Sequence, residues 1–352
     1  MTKIFSRYLK STIVKLPPRG ILILSVFLFL VSCREEKLKV MTVNGWLNAD
    51  EMGVTLPHEH IMVDWTGADS IEHVRWDKDS VVIAVLPYMK ELKELGCNTF
   101  IDCTPSFMGR DPDVFQRLSA ESGVNIIFSV GLYGALNNRF IPPFAYTETA
   151  EQLAERWVDE WENSCRGTGI TPGIIKIGVD YDTTLSTLHA KLVRAGCLAH
   201  LATGMTVAVH SGPADRAREI LQIFREEGIA PEAFVWTHAL LADIKDHVEI
   251  GKTGAWVSFD KINTGEENIR ELVEMISNMK DNNLLNRVLL SHDAGWYTVG
   301  QPGGGGFRPY TALFTHLVPA LKEQGFTQEE IDQMLIRNPA EAYVVSIRKA
   351  KE

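Results

Sequence analysis

The chain has 352 residues, 45% of them hydrophobic, with 35 basic and 45 acidic side chains and a net charge of −10. An acidic surface repels nucleic acid, which excludes a role founded on neutralising a phosphate backbone. The length and apolar content suffice for one large core, and no linker, repeat or low-complexity segment follows about residue 40.

The first 32 residues carry five basic side chains, Lys3, Arg7, Lys10, Lys15 and Arg19, and no acidic one. The apolar run ILILSVFLFLV follows and ends in LVSC, with small Ser32 directly before Cys33. This pattern reads as a bacterial lipoprotein signal peptide over residues 1–32, cut before Cys33, whose thiol takes the lipid. An uncleaved N-terminal anchor is the alternative, though the run is short for a membrane span. Residues 33–40 would then be a tether, and residues 41–352 a single globular domain outside the cytoplasm, held to a bacterial membrane by lipid at the periplasm or cell surface. Arg34 lacks the aspartate associated with inner-membrane retention. Without the leader, 320 residues remain, with 30 basic and 45 acidic side chains and a net charge of −15.

Beyond residue 50 short β-branched runs alternate with longer amphipathic ones. The strand candidates in chain order are VTLPHEHI, NTFIDCT, NIIFSVGLY, GIIKIGV, TVAVHSG, AFVWTHA, AWVSFD and RVLLSHD. Between them lie helical patterns such as VVIAVLPYMKELKELG, PDVFQRLSAESG, AEQLAERWVDEWENS and ADRAREILQIFREEG, apolar at three- and four-residue spacing. Strict alternation implies a parallel sheet, and eight such units imply a closed α/β barrel, a (β/α)8 or TIM barrel. An open nucleotide-binding sheet would carry a Gly-rich phosphate turn, and no G-x-G-x-x-G is present. Cys97 and Cys103 bracket an apparent strand that would hold them roughly 20 Å apart, beyond the reach of about 7 Å that a disulfide tolerates. Buried free thiols are the reading for these and for Cys165 and Cys197.

In such a barrel the functional side chains gather at the C-terminal ends of the strands. The first strand ends in His58 and His60, which extended chain projects to one side. The fifth ends in His210, the sixth in His238 and the eighth in Asp293, at equivalent rim positions. Lys176 interrupts the apolar fourth strand, where an unpaired ammonium is disfavoured. A salt bridge to an acid such as Asp102, a Schiff-base amine and a lysine carboxylated by carbon dioxide into a bridging metal ligand are its three readings. His73, His189, His200, His247 and His316 fall away from strand ends. His292 points opposite to Asp293 and at most supports a ligand.

LPHEH, NTFIDCTP followed by GRD, GIIKIG, VAVHSG, the His of WTHA, LLSHDAGW and the closing FTQEEIDQMLIRNPAEAY occur in the order of the phosphotriesterase motifs. Over roughly residues 40 to 346 the chain resembles the phosphotriesterase family, lactonases included, of the amidohydrolase superfamily. The resemblance implies two divalent metal ions, zinc first and manganese, iron or cobalt as other fits. It makes His58, His60 and Asp293 ligands of the more buried ion, His210 and His238 ligands of the more exposed one, and N6-carboxylated Lys176 the bridge. It further implies a metal-bridging hydroxide as nucleophile, with Asp293 orienting it and taking its proton. No G-x-S-x-G elbow competes with that chemistry.

Tyr133 stands where family members line the pocket with an aromatic residue and lactonase-like members use Tyr; a packed core tyrosine is the alternative. After the seventh strand the efficient phosphotriesterases carry a histidine, whereas this chain reads FDKIN, and its Lys261 resembles the cation of lactonase-like members. The expected substrate is therefore a small lactone or other carboxylic ester, with phosphotriester turnover as a side activity; an organophosphate or phosphoester hydrolase as main activity is the alternative. Arg110 and Asp111 are read as braces of the loop after the second strand. The glycine-rich segment QPGGGGFRP, residues 301–309, reads as a lid or as a long surface loop. Homodimers are frequent among similar family members. A non-catalytic binding lipoprotein is the competing class, and a mononuclear deaminase-like relative a third; all six ligand positions being filled, and the fourth-strand lysine, count against them.

Overall fold

The computed structural model describes residues 38–69, 75–181 and 184–351; the expected signal peptide, the lipid-bearing Cys33 and His73 lie outside the described residues. The described chain opens with a hairpin that alternation alone did not single out, β1 (Lys39–Thr42) against β2 (Gly45–Asn48). Gly45, at φ = 99°, closes its turn. The hairpin is docked firmly, because the Val43 N–H donates to the Ile126 carbonyl at 2.8 Å. Met41 passes so close to Gly173 that any Cβ there would lie 2.3 Å from the Met41 carbonyl oxygen.

The eight expected strands all form: β3 (Thr55–Val63), β4 (Thr99–Asp102), β5 (Asn125–Val130), β6 (Ile174–Gly178), β7 (Thr206–His210), β8 (Phe234–Thr237), β9 (Trp256–Asp260) and β10 (Val288–Ser291). Each pairs in parallel with the next. A short further strand, β11 (Gly295–Thr298), continues the line of β10 and pairs in parallel with β3. Asp293 N–H to His58 O and His60 N–H to Ala294 O, each 3.0 Å, complete the ring. The chain folds as a (β/α)8 barrel.

The helices behave as their end signals ask. Asp77 caps Lys78–Glu94 and Asp111 caps Pro112–Ser122, the latter closed by Gly123 at φ = 73°. Thr149 and Gln152 form a reciprocal capping box at the start of Ala150–Glu162. Strand residues divide by the period of two. Phe100, Phe128, Ile175, Val207, Phe234 and Val257 face the helices, each contributing about 1.5–3 kcal/mol on full burial. Their neighbours Ile101, Ile127, Ile174, Ala208, Val235, Trp256 and Leu289 pack together in the barrel interior with Val40 of the hairpin and Tyr343. All four described cysteines are buried free thiols.

Candidate metal centre

Above the apolar floor the inward positions turn polar. His58 and His60 on β3, Lys176 on β6, His210 at the end of β7, His238 after β8 and Asp293 after β10 line one cavity of about 170 Å³, together with Cys103, Tyr133, Trp65, Trp296, Pro105 and Met108. All six residues expected to bind metal therefore meet, and Tyr133 meets them. Lys261 does not; it lines the neighbouring cavity.

Asp293 is placed by strain that its surroundings over-determine. It sits at φ = 52°, which L residues rarely adopt. Its N–H is fixed to His58 O, and its carbonyl accepts from Trp296 Nε1 at 3.0 Å and from the Arg308 guanidinium. Its chain neighbours are clamped by buried Glu59, which stands between His58 and His60 in the chain. Glu59 Oε1 accepts from Ser291 Oγ (2.7 Å) and the His292 N–H (2.8 Å) and lies 2.7 Å from His292 Nδ1; Oε2 accepts from the Ala294 N–H (2.9 Å). His292 thus points away from the cavity and accepts the Leu313 N–H at its Nε2, 2.9 Å away. Held this way, Asp293 Oδ1 reaches to 3.1 Å from His60 Nε2 and 3.8 Å from His58 Nε2.

A second carboxylate, Asp260, contacts two of the histidines. Its Oδ2 lies 2.5 Å from His58 Nδ1, and its Oδ1 accepts the His238 N–H at 2.8 Å and touches His238 Nδ1 at 2.7 Å. That last contact falls outside hydrogen-bonding geometry. His58, His238 and Asp260 have donor atoms close enough together for one cation, as do His58, His60 and Asp293. Because both Asp260 oxygens are engaged by histidines, the carboxylate–imidazole pairing typical of metal sites describes it better. His60 Nδ1 is steered likewise, 2.8 Å from Thr104 Oγ1.

His210 stands edge-on to His238 with ring centres 4.3 Å apart, and Tyr181 stacks on it at 5.1 Å. The Tyr133 hydroxyl lies 3.2 Å from His210 Nε2, leaving Nδ1 as its remaining donor. Trp296, itself at φ = 73°, stacks on His60 with centroids 3.7 Å apart, and Trp65 stacks on Trp296. These rings shield the His60 side of the cavity from water.

The electrostatics suit a cation. Burial holds His58 below its ordinary value, with the Lys176 charge adding to the effect, pushes His60 down to about 3 and takes His210 well below the ordinary range. Burial works against ionisation of Asp293, yet His60, His58 and His238 outweigh it and keep the carboxyl well below the usual carboxylate range. Asp260 is held low in the same manner by His238 and His58 against its own burial. Unprotonated imidazoles beside ionised carboxylates are a metal donor set.

Lys176 is 1% exposed, and its Nζ lies 3.0 Å from His58 Nε2. The salt bridge to Asp102 is not formed: Asp102 accepts instead from Ile61 N at 2.7 Å and Thr104 N at 2.9 Å. Burial then pushes the Asp102 carboxyl up to about 7. Among the described residues no carboxylate pairs with Lys176, which leaves a buried amine in want of a further partner.

Sequence reasoning missed Asp260, Glu59, Trp65, Trp296 and Tyr181. Asp260 obeyed the same strand-end rule as the expected ligands and was legible; the others needed tertiary contacts. The bracing role of Arg110 and Asp111 is realised, Arg110 donating to Ser129 O at 2.8 Å and pairing with Glu160, Asp111 capping its helix. His189, His200 and His247 brace backbone carbonyls. The Gln301–Pro309 segment is pinned rather than loose. Gly295 and Arg308 exchange backbone bonds of 2.9 and 3.0 Å, and Phe307 stacks on Tyr88 at 4.3 Å.

Comparison with known proteins agrees with this geometry. Residues 38–343 match the model of the phosphotriesterase family. A phosphotriesterase homology protein of Escherichia coli K12 is 29% identical over 300 residues, covering 84% of this chain and all of the relative. An N-acetyltaurine hydrolase of Danio rerio is 24% identical, covering 87% of this chain and 97% of the relative. The organophosphorus hydrolase of Deinococcus radiodurans superposes with a TM-score of 0.77 at 23% identity, over 88% of this chain and 98% of that one. Motif order, barrel and converging donor set thus lead to one assignment: the chain belongs to the phosphotriesterase family of hydrolases.

Proposed function

We propose that this protein is a binuclear metal-dependent hydrolase that cleaves a lactone or other carboxylic ester. The observation that carries the reading is the convergence of four histidines, Asp293 and the carboxylate-free Lys176 on one small cavity. His58, His60 and Asp293 would hold one divalent ion, and His210 and His238 the other. Zinc suits imidazole and carboxylate donors, as do manganese, iron and cobalt. Addition of the Lys176 amine, in its neutral form, to carbon dioxide with loss of one proton would give the carbamate that joins the two sites. When bound, the metal pair supplies a water nucleophile at neutral pH and polarises the scissile carbonyl.

The chain's own residues do the rest. Asp293, kept ionised, accepts the proton of the attacking water at Oδ1. Asp260 keeps His58 and His238 in their donating orientations, and the Trp65–Trp296 stack excludes bulk water. The Tyr133 hydroxyl faces the substrate space beside His210, where it can hydrogen-bond the ester oxygen. Amide cleavage is the second reading, favoured by the relatives named N-acetyltaurine hydrolase. The leader supports export and a lipid anchor at Cys33, with residues 33–40 as a tether and a homodimer as the expected assembly.

The test is metal content of the full chain in detergent, with hydrolysis of a lactone panel, one phosphotriester and one N-acyl amide before and after chelation. About two ions per chain and chelator-sensitive lactone turnover are expected. A protein without metal and without turnover would overturn the reading, and preferential amide cleavage would replace the ester by the second reading.

A further inference from the structure

A second cavity, of about 360 Å³, adjoins the first at the strained turn after β10. Asp293 lines one, while its chain neighbours His292 and Ala294 line the other. Two cations, Lys261 and Arg308, border this second cavity, and none of its lining residues is acidic. In a chain of net charge −10 that is a local reversal of sign.

Both cations are positioned. Lys261 follows Asp260 directly and sits at φ = 144°, a conformation L residues rarely take, and its N–H donates to Ser291 O at 3.3 Å. Arg308 is held by its two backbone bonds to Gly295 and by its guanidinium on the Asp293 carbonyl. Neither forms an ion pair among the described residues, so no carboxylate neutralises either charge, although one Arg308 nitrogen is engaged by the Asp293 carbonyl. Thr311 and Ala312, which precede the helical segment beginning at Leu313, also line the cavity, while the Leu313 N–H is already taken by His292 Nε2.

We propose that this cavity is a subsite for an anionic group carried by the substrate, a carboxylate, sulfonate or phosphate a few bonds from the scissile carbonyl. The inference rests on the hydrolase reading of the neighbouring site and narrows its substrates to acids. The group would be bound by Lys261 and Arg308 while the bond to be cleaved stays at Asp293.

The test compares 4-nitrophenyl hemiglutarate, an anionic ester, with neutral 4-nitrophenyl butyrate on the zinc-loaded full chain. The wild type should favour the anion, and Lys261→Ala should lower the anionic-to-neutral ratio of kcat/KM about tenfold, mainly through KM, with Lys261→Arg restoring it. In parallel, glutarate should raise the Tm of the wild type and not of Lys261→Ala. An unchanged ratio, or an equal Tm shift in both proteins, would overturn the subsite while leaving the hydrolase reading intact. Should neither ester be hydrolysed, the hydrolase reading fails by itself and the glutarate shift still decides the subsite.

Discussion

The two halves of the barrel interior are built from the same strands and the same inward-facing positions, yet do opposite work. On the floor, Ile127, Ile174, Ala208, Val235, Trp256 and Leu289 pack with Val40 and Tyr343 and expose almost nothing. Two residues further along their strands stand Lys176 and His210, four further along stands Asp260, and just beyond the ends of theirs come His238 and Asp293. The floor resembles any protein core, where apolar contact pays for order. The rim gathers buried polar groups and left-handed backbone at His238 and Asp293, costs that only surrounding bonds sustain. A stable floor is what lets a strained rim persist.

The comparison breaks most visibly at Lys176. Lys176→Ala should lose roughly a thousandfold in turnover and bind fewer metal ions per chain, while the Tm of the metal-free protein holds or rises because a buried amine is gone. Full activity with unchanged metal content would remove Lys176 from the centre, and a collapsed Tm would make it structural. The converse substitution is Trp256→Ala on the floor, where Trp256 is fully buried. Cavity formation should cost about 3–5 kcal/mol in denaturant unfolding, with metal content and turnover kept well below the lowered Tm. Loss of metal at a temperature where the variant stays folded would show the halves to be coupled.

The smallest effect lies at Asp102, between the two halves. Its carboxyl, raised by burial to about 7, binds a proton more tightly in the fold than in the unfolded chain. Its contribution to stability is therefore full below the unfolded value near 4 and is lost as pH rises towards 7. The Tm of the wild type relative to Asp102→Asn should accordingly fall by a few degrees between those limits. A difference independent of pH would mean that Asp102 stays ionised throughout.

Much of this was legible without coordinates. The alternation of short β-branched runs with amphipathic helical stretches marked all eight barrel strands, and the strand-end rule pointed to His58, His60, His210, His238 and Asp293. β1, β2 and β11 were not marked. β1 and β2 form a hairpin outside the strand-to-helix alternation, and β11 exists because the left-handed Asp293 and Gly295 redirect the chain towards β3. Asp102 was weighed as a partner for Lys176 because both lie on barrel strands. The backbone N–H groups of Ile61 and Thr104 claim it instead.

The sequence by itself determined the barrel and the residue types at its rim, because strand alternation, strand-to-helix order and side-chain direction are local properties of the chain. Only the tertiary structure decided which carboxylate orients and which faces the cavity, that Lys176 meets His58, and that Lys261 opens onto a second cavity. The physical reason is that these outcomes depend on distances between segments far apart in the chain. His58 and Asp260 meet across 202 residues and Glu59 and Ser291 across 232, and no local pattern encodes which of their atoms touch.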